Sequence, residues 1–263
     1  MKSLLDNLKE KERRGSKPRC HLLTHGSRDA VAARLTALVT PFASVSPSDS
    51  WMPEGFDNVK EATLPEANRL LPLDVRAALK RWWLAVETRN RRTPCWDIAS
   101  TCTIGARPGI LLVEAKAHHN ELTKESAGKV LRTDASEDSL RNHSSIHAAI
   151  QGANIALTGC TGLHWALSRD WNYQMSNRFS WAWKLAELGV PVVLVYLGFL
   201  NANEMSDQGA PIVDSAEWRL LVTRHGKQLF PESVWDQRWS CSGNELVPLI
   251  RAVEISLQDA QLS

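Results

Sequence analysis

The sequence predicts an α/β domain built round a central mixed β-sheet flanked by helices. Three observations predict it. The elements run helix, strand pair, helices, strand, an order that places helices on both faces of one sheet. Ile110 to Val113 and Val192 to Tyr196 are unbroken aliphatic runs, as strands buried on both faces require. Val75, Leu79, Trp82 and Val86 recur at helical spacing, and the stretch Tyr173 to Leu188 is apolar on most sides, as a buried helix is.

The elements follow in order. Residues 1 to 20 are dense in charge, with Lys2, Lys9, Lys11, Arg13, Arg14, Lys17 and Arg19 set against Asp6, Glu10 and Glu12. This reads first as a solvated leader, with a short helix or a mobile basic arm that touches phosphate as the alternative. Asp29 to Val39 is helical, with Val31, Leu35 and Leu38 on one stripe, and a Pro/Ser/Asp-rich loop follows from Pro41 to Asp57. Pro72 breaks a short helix and Asp74 caps the next, which reaches Glu87 and the basic junction Arg89, Arg91 and Arg92. Strand formers Trp96, Ile98, Thr101, Thr103 and Ile104 fill the stretch Pro94 to Ile104, and Gly105 to Gly109 is a turn by composition. With Ile110 to Val113 they make a hairpin. A helix spans about His143 to Leu157, and a loop holds Gly159 and Gly162. Gly189 ends the buried helix and Pro191 stops it continuing, so that the strand from Val192 lies centrally. The division is an N-terminal extension (1–60), a core (61–200) and a C-terminal extension packed on it (201–263).

With 43% hydrophobic and 23% charged residues, the chain has the make-up of a soluble globular protein. Its net charge of +2 supplies no global field for nucleic acid, so any such binding relies on local basic patches. Five cysteines, odd in number, widely spaced and without a C-x-x-C pair, argue against a disulfide framework or structural zinc and fit a reducing cytoplasm. No signal peptide or membrane-length apolar run is visible, so no membrane partner is expected. Eleven tryptophans are read chiefly as core packing.

The segment Gly109-Ile110-Leu111-Leu112-Val113-Glu114-Ala115-Lys116 carries the most chemistry. Side chains alternate along a strand, so Glu114 and Lys116 share a face and Ala115 takes the other. A carboxylate and an ammonium at the end of a buried strand are costly to desolvate unless paired or used. The hairpin lets Asp97 approach Glu114. Two adjacent carboxylates repel, and a hard divalent cation, Mg²⁺ or Mn²⁺, relieves this. Lys116 is placed to position a water or stabilise transition-state charge. A strand-end salt bridge is the competing account of Glu114 and Lys116.

Asp97, followed by Glu114-Ala115-Lys116 on the next aliphatic strand, resembles the PD-(D/E)XK nuclease superfamily, over roughly residues 73 to 200. Trp96, not proline, precedes Asp97. The resemblance implies a restriction-endonuclease-like αβββαβ core and Mg²⁺-dependent cleavage of nucleic acid, DNA above RNA. It implies a metal held by Asp97, Glu114 and the Ala115 carbonyl, with Glu87 from the preceding helix assisting. Gln174, Asn177 and Arg178 share a face of the buried helix and would contact phosphate, or else form a helix surface with Arg178 paired to an acid. The alternative is a non-catalytic module that keeps the nuclease fold to bind nucleic acid or a protein.

Other motifs rank lower. His143 and His147 have zinc spacing, but Ser144 stands where H-E-x-x-H needs glutamate. His118 and His119 read as loop surface with a possible substrate contact. Thr158 to Gly162 reads as a plain turn.

Overall fold

The computed structural model describes residues 3–87 and 93–260. The junction arginines Arg89, Arg91 and Arg92, and Lys2, lie outside the described residues.

In chain order the elements begin with α1 (Ser16–Leu23), α2 (Arg28–Val39), β1 (Ala43–Ser44), β2 (Trp51–Met52) and β3 (Ala62–Thr63). The middle holds α3 (Leu73–Trp83), β4 (Cys95–Trp96), β5 (Ile98–Ile104), β6 (Arg107–Lys116), α4 (His119–Glu125), α5 (Glu137–Thr161) and α6 (Tyr173–Glu187). The remainder is β7 (Val192–Leu200), α7 (Ser215–Gly226), β8 (Trp239–Cys241) and β9 (Asn244–Glu254). The main sheet runs β1-β5-β6-β7-β9-β8, with β2 also on the outer edge of β5. β5 and β6 are antiparallel, whereas β6, β7 and β9 are mutually parallel. The α/β class and the mixed sheet between helices are therefore present.

Strand alternation sorts the core into two layers. Ile110, Leu112, Leu194, Tyr196 and Ile250 face α3, α5, α6 and α7. Leu111, Val113, Ala115, Val193, Val195 and Leu249 face α1 and α2. Glu114 and Lys116 continue the first row, so they point at α6. Eight of the eleven tryptophans are buried in these layers, Trp83, Trp96, Trp181 and Trp218 among them.

Several expectations are corrected. The hairpin turn is Gly105-Ala106 alone; Arg107 to Gly109 already pair with Cys102 to Ile104. Gly105 takes φ +61, which a two-residue hairpin turn demands of its first position. Asp74 sits in the first turn of α3 and Pro72 occupies the cap position. Residues 158 to 161 are the last turn of α5, closed by Gly162 in the left-handed conformation.

The outer segments are not appendages. β1 and β2 extend the sheet at one side and β9 and β8 at the other. Pro248 conceals β9 in the sequence, since proline is rare inside a central strand. Its carbonyl accepts from the Asp236 amide at 2.8 Å. That side faces away from β7, so the missing N–H removes no bond from the β7 ladder. The basic N-terminal segment is docked rather than free. Arg19 is buried, donating to the Ile255 carbonyl at 3.0 Å and pairing with Glu204, while Lys17 bridges Glu12 and Glu61.

The expectation of reduced cysteines is also corrected, because Cys160 and Cys241 form a disulfide across 81 residues. The end of α5 lies against β8, a proximity that spacing in sequence does not encode. No helix among the described residues is long and apolar enough to cross a membrane.

Candidate active site

The site assembles where the β4–β5 chain bends. The pairing of β5 with β6 stops at Ile98 and Val113, and β4 turns off to pair with β3 instead. Asp97 stands at this break, where the β6 amides lose their strand partner. Its Oδ2 replaces one, accepting from the Ala115 amide at 2.8 Å. The carboxylate is thereby fixed beside the strand that carries Glu114.

Glu114 is 1% exposed, Lys116 6% and Arg178 5%. Glu114 Oε1 accepts from Lys116 Nζ at 2.5 Å and from the Gln174 side-chain amide. Its Oε2 accepts from Arg178 Nε at 2.5 Å. Gln174 and Arg178 lie one helical turn apart on α6, which is why both reach one carboxylate. Asn177 is buried and accepts from Arg178 Nη1 at 3.1 Å. Arg178 Nη2 donates to the Cys95 carbonyl at 2.7 Å, and the guanidinium lies 4.5 Å from the Trp96 ring centroid.

These contacts set the charges. Burial and the neighbouring Glu114 carboxylate push the Asp97 carboxyl from its ordinary 3.8 to about 7, against the pull of Lys116, the Ala115 amide and Arg178. For Glu114, burial also pushes upward, but Arg178 and Lys116 outweigh it and hold the group below the usual carboxylate value. Burial works against the charge on Arg178, yet Glu114 keeps it firmly cationic. One acid is therefore committed to its charge, and the other titrates near neutrality.

The structure thus brings together Asp97, Glu114, Ala115, Lys116, Gln174, Asn177 and Arg178. It does not bring Glu87. α3 ends at Trp83, and Asn142 clamps Val86 by accepting from its amide at 2.8 Å and donating to its carbonyl at 2.9 Å. Glu87 is left exposed, paired with Lys80 at 2.7 Å. On α6, Gln174 and Arg178 hold Glu114, the acid pairing that was the alternative to a phosphate contact, and Asn177 accepts from Arg178. Trp96 and the Cys95 carbonyl, which support Arg178, were not singled out in the sequence; their adjacency to Asp97 was the available signal.

His118 is buried rather than a surface loop residue, its backbone amide bound to Glu121 at 3.2 Å, and His119 pairs with Glu217 at 3.1 Å. His143 bonds the Lys129 carbonyl at 2.9 Å while His147 is exposed, so the pair shares no ligand. Among the described residues, no three His, Cys, Asp or Glu side chains converge as a metal cage.

No known protein family, curated protein or solved structure matches the chain.

Proposed function

We propose that this chain is a metal-dependent nuclease that hydrolyses phosphodiester bonds in nucleic acid, with DNA the favoured substrate. One observation carries the reading. Asp97, at the break between β4 and β5, bonds the amide of Ala115, the residue between Glu114 and Lys116, and Lys116 pairs with Glu114, so two acids and an amine share one location. The chain runs α3, β4, β5, β6, α4, α5, α6, β7, so the elements of a restriction-endonuclease-like core occur in order with α4 and α5 interposed.

Asp97 and Glu114 fit Mg²⁺ or Mn²⁺ by donor chemistry. Both offer hard oxygen, and the raised Asp97 pKa marks a pair that resists ionising twice without a cation. Mg²⁺ is commonly held by one or two carboxylates together with substrate phosphates, so a full protein cage is not required. The Ala115 carbonyl, from the residue between Glu114 and Lys116, would be a third oxygen. When bound, the metal would supply Lewis-acid polarisation and a more acidic water.

The remaining work falls to the chain's own side chains. Asp97 must give up its proton, which its pKa near neutrality permits. Arg178 and Gln174 fix the rotamer of Glu114. Lys116, drawn away from Glu114, holds the attacking water or screens the charge growing on phosphate.

Purified protein should cleave at least one of supercoiled plasmid, linear duplex, single-stranded DNA or RNA, only with Mg²⁺ or Mn²⁺. Lys116→Ala should lower that rate by about 100-fold or more. Cleavage of none of these substrates, or full activity in Lys116→Ala, would reject the reading.

A second reading is a non-catalytic module that uses the same fold to bind nucleic acid or a protein. The complete pairing of Glu114 by Lys116, Gln174 and Arg178 favours it. Calorimetry separates the two, since a binding module would take up no divalent cation while still binding its partner.

A further inference from the structure

Most tryptophans are buried, but Trp171 leaves 47% of its surface in solvent. It lies on a short ribbon in which residues 126–130 run against 168–172. Ala127 bridges to Trp171, the Lys129 amide donates to the Arg169 carbonyl at 2.8 Å, and the Asn172 amide donates to the Ser126 carbonyl at 3.2 Å. The segments touch so closely that a Cβ on Gly128 would overlap the Asp170 carbonyl. Such a Cβ would force the ribbon apart.

The ribbon is also fixed to α6. Asn172 takes φ +44, a left-handed conformation that a non-glycine residue keeps only where its surroundings impose it. Here the Asn172 side chain donates to the His225 carbonyl at 2.7 Å, and its own carbonyl accepts the Ser176 amide at 3.0 Å. Trp171 is therefore held in place. It is three residues from Gln174, whose side chain bonds Glu114. Three residues span at most about 10 Å, so the exposed indole is rooted beside the candidate active site.

Lys129 and Arg169 stand two residues along the ribbon from the Ala127–Trp171 pair. Lys129 lies over the Tyr173 ring at 5.1 Å. His143 bonds the Lys129 carbonyl, and Arg169 reaches the His143 carbonyl at 3.4 Å. Asp170, the acid of the ribbon, is paired with Arg169 at 2.9 Å. A flat aromatic face beside basic side chains is the pairing that recognises an unpaired strand, where a base stacks and the backbone follows the charge. Duplex bases have their faces covered by their neighbours and offer no such surface.

We infer that this ribbon docks an unpaired stretch of DNA, with a base stacked on Trp171 and its phosphates passing Lys129 and Arg169 toward the Asp97–Glu114–Lys116 cluster. The inference rests on the nucleic-acid reading of that cluster.

The test is fluorescence anisotropy with a short labelled single-stranded DNA, a blunt duplex and an RNA of the same sequence, all in EDTA so that metal-dependent cleavage is silent. The single-stranded DNA should bind most tightly. Trp171→Ala should weaken it by about 5-fold or more, the loss expected of one stacked base, and Trp171→Phe should keep most of the affinity. The double variant Lys129→Ala/Arg169→Ala should flatten the salt dependence. Unchanged thermal midpoints establish that the variants fold. Equal binding by Trp171→Ala, preference for duplex or RNA, or no DNA binding at all would overturn the inference. Stacking-dependent binding without cleavage under any metal would sustain this surface and sink the nuclease. Metal-dependent DNA cleavage with binding indifferent to Trp171 would do the reverse.

Discussion

Arg178 grips Glu114 across the interface between α6 and the sheet, with Nε 2.5 Å from Oε2. The same guanidinium bonds the Cys95 carbonyl and lies over Trp96, so one side chain ties the helix to both β6 and β4. The two carboxylates of the site are held to one location by this contact and by the Asp97 bond to the Ala115 amide.

Removing one partner of a buried ion pair leaves the other charge uncompensated, at a cost of about 3–5 kcal/mol. Arg178→Met should therefore lower the free energy of unfolding in urea denaturation, by less than that amount because Lys116 still pairs with Glu114. The triple variant Glu114→Gln/Lys116→Met/Arg178→Met should recover part of the loss, since neither cation is then left without its carboxylate. A midpoint unmoved by Arg178→Met would show that the contact does not support the fold.

Asp97 carries a pH dependence of defined sign. Its folded pKa of about 7 lies above its ordinary 3.8, so the folded state holds the proton more tightly. That contribution to stability is complete below 3.8 and is lost as pH rises through about 7. Urea midpoints measured from about pH 4 to about pH 8 should fall more steeply for wild type than for Asp97→Asn, which does not titrate. Parallel curves would place the Asp97 pKa elsewhere. On the nuclease reading a metal would compete with this proton, so Mg²⁺ affinity should rise with pH and level off above about 7.

The Cys160–Cys241 bond joins the end of α5 to β8 across 81 residues of chain. Closing a loop of this kind stabilises a fold by about 2–4 kcal/mol. Cys160→Ser should lower the thermal midpoint, and reductant should bring wild type down to the same value. A wild-type midpoint indifferent to reductant, with five titratable thiols in the denatured chain, would contradict it.

Much of the fold was written in local patterns. The buried strands β6 and β7 and the helix α6 showed themselves as apolar runs with clear stops, and Gln174 and Arg178 were legible as a pair because helical spacing fixes their common side. Asp97 followed from the strength of the turn signal at Gly105. The rest depended on distances that no local pattern carries. Glu87 sits one turn beyond the end of α3, where Asn142, far along the chain, redirects the backbone. β9 was hidden by Pro248, whose tolerance depends on which edge of the strand meets β7. The disulfide needed α5 to be long enough to bring Cys160 to β8.

β9 lies against β7, and β7 in turn is the neighbour of the strand that bears Glu114. During translation the nascent polypeptide thus carries β6, β7 and their apolar rows well before their cover has been made. A premature stop ahead of Asn244 would leave β7 as an open, sticky margin that invites pairing with other molecules. Loss of the carboxyl-terminal stretch would therefore be felt first as aggregation in the cell, although no residue of the Asp97 cluster is touched.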